Sequence, residues 1–376
     1  MFGFKNSNIY VEGKGIIKTN LQIKDNKFSS FDYSDDFEEL DDKYIIVPGF
    51  IDEHIHGSNN SDTMDSSKEA LDNISSSIIK EGVTSFLATT MTMSNDNIIN
   101  ALENIANYNN ASGANLLGIH LEGPFISPAF SGAQNKDEIK KPTKELILDY
   151  INKSNSKIRI LTLAPENCDK EIYQILKDNN IVISAGHTNA NVKEIKEAIN
   201  YGLSLTTHTY NAMKGIHHRE IGTVGAALLY DELASEVICD LHHVSEEAIQ
   251  LLYKNKPKDK LILVTDSMEA KFLCEGNYSL GGQPVIVKNG TARLTNDTLA
   301  GSILHMNDAI RNLKNVCNLI LEESIDKATI NPAMNLKIAN SKGSINIGKD
   351  SDFVIIDKEL NIYRTYVNGK LVYKKD

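Results

Sequence analysis

The sequence predicts an α/β fold: a (β/α)8 TIM barrel with a small β-sandwich domain formed by both chain termini. Three observations carry that prediction. Apolar runs of five to eight residues recur eight times through the middle of the chain, separated by stretches of helical spacing. Short β-like runs broken by turn signals occupy both ends. Histidines and acids gather at the C-terminal ends of the central runs rather than along them. Near-continuous apolar strands belong to a parallel sheet covered on its outer face, and eight is the number that closes a barrel. An open doubly wound sheet is the competitor, but no G-x-G-x-x-G or P-loop follows any run.

Composition fits this reading. At 376 residues the chain suits one large barrel with an appendage, or two domains. Hydrophobic residues at 41% and charged ones at 24% exclude a disordered or fibrous protein. A formal charge of −11 makes a nucleic-acid backbone a poor partner. The start of the chain lacks a basic stretch followed by an apolar one, so no export signal is expected. No window approaches the roughly 18 apolar residues of a membrane span. Cys168, Cys239, Cys274 and Cys317 are scattered without C-x-x-C pairing and read as thiols in a reducing cytoplasm.

The elements follow in order. Asn8-Ile-Tyr-Val before Glu12-Gly-Lys-Gly, and Leu21-Gln-Ile before Lys24-Asp-Asn-Lys, read as short strands ending in turns. The tail mirrors them, with Asp352-Phe-Val-Ile-Ile as a strand and an Asn368-Gly369 turn suited to type I′. Residues 1–48 and 342–376 are therefore assigned to one discontinuous β domain and 49–341 to the barrel. Barrel strands are expected at 44–51, 83–89, 116–121, 158–163, 181–185, 203–207, 236–240 and 261–265. Helices are expected at 67–80, 96–108, 144–154, 169–178, 190–200 and 245–253, several with cap residues such as Ser94 or Asn95, and Ser245. A long polar loop over 123–141 follows the third strand. An Asn-Gly hairpin within 279–301 precedes the last helix.

The chemistry gathers at the strand ends. The first strand runs into Asp52-Glu-His-Ile-His-Gly, and a spacing of two places His54 and His56 on one face. Glu122 ends the third strand, His187 the fifth, His208 the sixth and Asp266 the eighth. This is the face where barrel enzymes keep their active sites. Taken singly, each histidine reads as structural; together, six metal-competent side chains on one rim point to a metal site. Imidazoles with carboxylate oxygen suit Zn²⁺ or Fe²⁺ better than Mg²⁺ or Ca²⁺.

Pro48-Gly-Phe-Ile-Asp-Glu-His-Ile-His-Gly, His120-Leu-Glu-Gly-Pro-Phe, Ser184-Ala-Gly-His-Thr, His208-Thr-Tyr-Asn-Ala-Met, Arg219-Glu-Ile-Gly, Val264-Thr-Asp-Ser-Met, Gly301-Ser and Asn331-Pro-Ala together resemble the N-acetylglucosamine-6-phosphate deacetylase family of the amidohydrolase superfamily. The resemblance covers nearly the whole chain. It implies a metal-dependent barrel that hydrolyses a 2-acetamido group to acetate and a free amino-sugar phosphate. It also implies a principal metal site of Glu122, His187 and His208, with His54 and His56 helping to hold a second ion, so one or two divalent ions per subunit. The fourth strand ends Thr162-Leu-Ala-Pro-Glu-Asn, without the lysine that bridges two metals in many amidohydrolases, which leaves Glu122 as the bridge.

In the implied reaction a metal lowers the pKa of a bound water and polarises the acetyl carbonyl, and Asp266 shuttles the proton as general base and then acid. A plain metal ligand or strand-end cap is the alternative for Asp266. The resemblance gives Asn211, the backbone of Ala212, and Arg219 roles at the phosphate. In the family that arginine enters the neighbouring subunit's site, which implies a homodimer. His243 is expected at the sugar hydroxyls. The family usually has a histidine after Gly132-Ala, where this chain has Gln134, an uncharged amide expected to touch substrate. His217 and His218 read as solvated loop residues, His242 as structural or rim, and His120 as a partner behind the ligands; His305 has no assigned role. N-acetylgalactosamine-6-phosphate or another acylated amino-sugar phosphate is the alternative substrate, and a non-catalytic barrel scaffold the alternative of another class.

Overall fold

The computed structural model describes residues 1–109 and 112–375. Its central sheet has eight parallel strands: Phe50–Ile55, Val83–Thr89, Asn115–Glu122, Ile158–Leu163, Val182–Ala185, Leu203–Thr206, Ala234–Ile238 and Leu261–Val264. Each pairs with the next in sequence. Several, such as Val83–Thr89, are buried along their whole length, as strands covered on both faces must be. The circle closes between the last and first strands. The Asp266 N–H donates to the His54 carbonyl at 2.8 Å, the His56 N–H donates to the Ser267 carbonyl at 3.0 Å, and Ile55 bridges Ser267 in parallel. The seam of the barrel thus runs through three of the metal-competent residues.

Helices fill the crossovers at Lys68–Ile78, Asn95–Asn107, Lys144–Lys153, Lys170–Asp178, Val192–Tyr201, Gly222–Leu229, Glu246–Asn255 and Met306–Cys317. Ser67, Ser94 and Ser245 cap three of them, each accepting from a backbone N–H three residues on. The helix Gly222–Leu229 has no counterpart among the expected ones. It is buried from Gly222 through Ala227, so its small residues leave no polar face and no helical periodicity to read.

One expected strand divides in two. The run 44–51 is not a single barrel strand: Ile45–Pro48 joins the sheet of the termini, and only Phe50–Ile55 enters the barrel. The break falls at Gly49, where a Cβ would lie 2.1 Å from the Thr84 hydroxyl, so only glycine passes the second barrel strand this closely. The terminal sheet runs in the order Lys370–Lys374, Ile362–Val367, Phe353–Ile356, Ile45–Pro48, Phe2–Val11, Gly15–Lys24, Lys27–Ser30, with Glu38–Glu39 also paired to Phe2–Val11. Both ends of the chain therefore contribute. Asn368 and Gly369 both take positive φ, as a type I′ turn requires. The sheet curls on itself: the Phe28 N–H donates to Lys349 O at 3.0 Å and the Gly348 N–H to Phe28 O at 2.8 Å. Inside the curl Phe353 stacks on Tyr366 at 4.3 Å and Phe4 meets Phe353 edge-on.

The insertion after the eighth strand is a three-stranded antiparallel sheet, Gly276–Leu280, Gln283–Lys288 and Thr291–Leu294. Its inner face packs Leu280, Val285 and Ala292 with Met91 and Met268 over the barrel mouth. Among the described residues, no helix is long and apolar enough to cross a membrane.

At the opposite end of the barrel, buried Asn331 donates through Nδ2 to the carbonyls of Lys258 and Leu261 at 2.8 and 2.7 Å, anchoring the start of the eighth strand. Asn331→Ala removes both bonds and is expected to lower stability by about 1–3 kcal/mol. Urea unfolding measures this; an unmoved midpoint would show that the two bonds contribute nothing.

Candidate active site

His54 lies in the first strand and His56 just beyond it, and Glu122 is the last residue of the third. His187, His208 and Asp266 sit two residues past the fifth, sixth and eighth strands, and all six side chains are buried. His187, His208 and Asp266 share a left-handed backbone, with φ of 47°, 33° and 47°. Such a conformation costs a non-glycine residue about 1–3 kcal/mol and persists where its surroundings impose it. Here the turns are pinned: the Ser127 N–H donates to His187 O at 2.8 Å, Asn211 N–H to His208 O at 3.0 Å, and Ser302 N–H to Asp266 O at 2.7 Å. Each turn reverses the chain as it leaves the barrel and aims the side chain back over the mouth.

Glu122 is the centre of the arrangement. Its Oε1 lies 3.2 Å from His187 Nε2 and 3.0 Å from His208 Nε2, while Oε2 lies 3.2 Å from His56 Nε2 and 3.7 Å from His54 Nε2. Asp266 Oδ1 faces the same pair from the other side, 3.1 Å from His56 Nε2 and 3.3 Å from His54 Nε2. Two donor groups result, Glu122 with His187 and His208, and His54 with His56 and Asp266. His187 Nδ1 lies 2.9 Å from the Phe130 carbonyl, which can only accept, so the ring proton belongs on Nδ1 and the Nε2 lone pair faces the site. Nε2 of His208 lies 3.1 Å from His187 Nε2, and among the described residues no group makes a well-aligned hydrogen bond to buried His54 Nε2. Converging imidazole nitrogens and carboxylate oxygens fit a divalent ion of the Zn²⁺ or Fe²⁺ kind.

The electrostatics agree. Burial would raise the Glu122 carboxyl, but His54, His187 and His208 hold it well below the usual carboxylate range. Burial also pushes Asp266 up, yet His54 and His56 bring it down to about 2. Burial opposes charge on His56, but bonds to Asp266 and Glu122 raise it to about 9. Buried carboxylates at this spacing demand positive charge, which protonated imidazoles or a cation can satisfy.

The cavity over these groups is lined by Gln134, Asn211, Ala212 and His243. Gln134 is buried with both ends of its amide engaged, accepting from the Thr92 N–H at 2.7 Å and donating to Glu122 Oε2 at 2.9 Å. Asn211 Nδ2 donates to His208 O at 3.2 Å, and Ala212 has a positive φ of 47°. His243 Nδ1 is held 2.6 Å from Asp240 Oδ2, leaving its Nε2 as the ring's other nitrogen. Arg219 does not line the cavity of its own chain; it is exposed, with Nη1 2.7 Å from His218 Nε2. His217 and His218 are exposed, with their rings in tilted contact at 4.2 Å. His242 is exposed. His305 bonds Glu81 through Nδ1 at 2.9 Å, beside the buried Lys271–Glu81 pair, away from the cavity.

Behind these groups, His120 packs 4.5 Å from the His54 ring and spends both nitrogens elsewhere, on Glu53 O at 3.2 Å and Thr162 Oγ1 at 2.7 Å. Burial, then the His54 charge, hold it well below the ordinary imidazole value, so it stays neutral. Sequence reasoning missed Glu236, whose Oε2 lies 3.0 Å from His54 Nδ1; the signal was a carboxylate inside a barrel strand that is buried along its whole length. It also missed Leu280, Thr298 and Leu299, which the inserted sheet and the loop after it bring to the cavity wall through non-local packing.

A barrel with paired histidines at the first strand, single histidines after the fifth and sixth and an aspartate after the eighth defines a hydrolase of the amidohydrolase type. The amidohydrolase family model matches residues 45–372. The N-acetylglucosamine-6-phosphate deacetylase of Bacillus subtilis is 43% identical over 335 residues, 88% of this chain and 85% of that protein. The N-acetylgalactosamine-6-phosphate deacetylase of Escherichia coli O157:H7 is 33% identical over 88% of each. A crystal structure of the N-acetylglucosamine-6-phosphate deacetylase of Thermotoga maritima superposes with a TM-score of 0.90 at 33% identity, over 99% of both chains. The chain belongs to the amidohydrolase family and, within it, to the N-acetylglucosamine-6-phosphate deacetylases.

Gln134→Leu removes both the partner of the buried Thr92 N–H and the donor on Glu122. The variant is expected to lose about 1–3 kcal/mol of stability in denaturant unfolding; a midpoint equal to the parent would mean that Thr92 finds another partner.

Proposed function

We propose that the protein hydrolyses the acetamido group of N-acetylglucosamine-6-phosphate, releasing acetate and glucosamine-6-phosphate. The observation that carries the proposal is Glu122 held between two imidazole groups with Asp266 beside them, in a chain 43% identical to a relative named for that reaction. Glu122, His187 and His208 would hold a divalent ion, Zn²⁺ or Fe²⁺, and His54 and His56 with Glu122 a second, so one or two ions per subunit. A bound ion supplies a Lewis acid for the acetyl carbonyl and a lowered pKa for water.

The chain's own groups do the rest. Asp266 is the general base: its carboxyl, held at about 2, is ionised at neutral pH and accepts a proton from the water that attacks the carbonyl. It then donates that proton to the sugar nitrogen, because an amine leaves readily only when protonated. Asn211 and the Ala212 backbone bind the phosphate. Arg219, exposed and outside the lining of its own cavity, serves the partner's site in a homodimer, where its planar fork suits phosphate. His243, oriented by Asp240, faces the sugar hydroxyls. Gln134 contacts substrate only through what Glu122 and Thr92 leave free. The barrel, 49–341, carries this chemistry, and 1–48 with 342–376 form the attached β domain of a cytoplasmic enzyme.

A second reading, the same reaction on N-acetylgalactosamine-6-phosphate, is favoured by the 33% identical relative named for it. Acetate release from both phosphates and from unphosphorylated N-acetylglucosamine, with and without chelator, separates the readings. Turnover is expected to require metal and phosphate and to favour the gluco epimer; chelator-resistant turnover would overturn the mechanism. Asp266→Asn is expected to keep bound metal and lose roughly 10²–10⁴-fold in kcat, and near-parental turnover would require another proton shuttle.

A further inference from the structure

Glu236 lies in the middle of the seventh strand, Ala234–Ile238, with no exposure to solvent. A carboxylate in that position is tolerated only if its partners repay the loss of water. Those partners are specific. Oε2 lies 3.0 Å from His54 Nδ1 and accepts the His208 backbone N–H at 3.1 Å, and the Glu236 carbonyl accepts the Thr209 N–H at 2.8 Å. One oxygen thus joins a ring on the first strand to the left-handed turn that presents His208 after the sixth.

We infer that Glu236 is a positioning residue for the metal site, holding the Nδ1–H of His54 and fixing the turn that carries His208. A carboxylate only accepts, so His54 Nδ1 carries a proton, and its Nε2 is the nitrogen turned toward Glu122 and Asp266, where an ion would take the place of a proton. The ring cannot swing away, because His120 packs against it at 4.5 Å and is itself tied to Glu53 O and Thr162. The negative charge of Glu236 also makes His54 a stronger donor. His120 and Glu236 group with His54 within ligand distance of one another, but both ring nitrogens of His120 are committed, so this trio supports the site and is no separate one.

The inference rests on reading His54 and His208 as ligands and is independent of which sugar is cleaved. Its test is Zn²⁺ affinity, measured by competition with a chromophoric chelator. Glu236→Gln keeps an oxygen for both donors and removes the charge, so the dissociation constant is expected to rise about 10–100-fold. In a His54→Asn background the same change is expected to have little further effect. An affinity equal to the parent, or a full loss that persists without His54, would overturn the inference. If Glu236→Gln does not fold, ¹⁵N signals of the intact, zinc-loaded protein decide: a protonated Nδ1 on His54 is expected, and an unprotonated Nδ1 contradicts it. Failure of acetate release with these zinc constants intact would overturn the proposed function and leave Glu236 standing.

Discussion

The structure turns on the Glu122 carboxylate, which shares its two oxygens among four imidazoles at the mouth of a closed barrel. Oε1 serves His187 and His208 at 3.2 and 3.0 Å, and Oε2 serves His56 at 3.2 Å with His54 beyond it. Because these partners come from the first, fifth and sixth strands, and Glu122 itself from the third, no pair of neighbouring elements could build the cluster. Only closure of the ring brings the first strand against the eighth and lets Asp266 face the same histidines. The seam bond from the Asp266 N–H to His54 O is therefore part of the site as much as of the fold.

Around that cluster lies a second layer that explains how buried charge is held in place. Glu236 orients His54, Phe130 O orients His187, and Gln134 ties Glu122 to the backbone after the second strand. Below them a line of hydroxyls crosses the barrel: Ser184 to Thr207, Thr207 to Thr162, and Thr162 to His120. The absence of a lysine at the end of the fourth strand is part of this layer, since Thr162 occupies the inward position and serves His120. Preorganised surroundings of this kind fix ligand geometry before any ion or substrate arrives.

Most of the barrel was legible because period and burial agree. Buried parallel strands read as apolar runs, and ligands at their ends stand out against them. The rim residues were visible for the same reason, as polar groups where an apolar run stops. Legibility failed where local pattern is silent. The strand break at Gly49 depends on the close approach of Thr84, and the helix Gly222–Leu229 is buried from Gly222 through Ala227 and so has no periodicity. Glu236 was hidden by the run that contains it. Gln134 lines the cavity, but that its amide already serves Thr92 and Glu122 depends on a loop fold that no spacing encodes.

The central claim, that Glu122 organises both halves of one metal-binding cluster, is tested most directly by the metal content of Glu122→Gln after dialysis against buffered Zn²⁺. The account predicts loss of zinc from both donor groups and loss of acetate release with it. A variant that kept its zinc and its turnover would contradict the account.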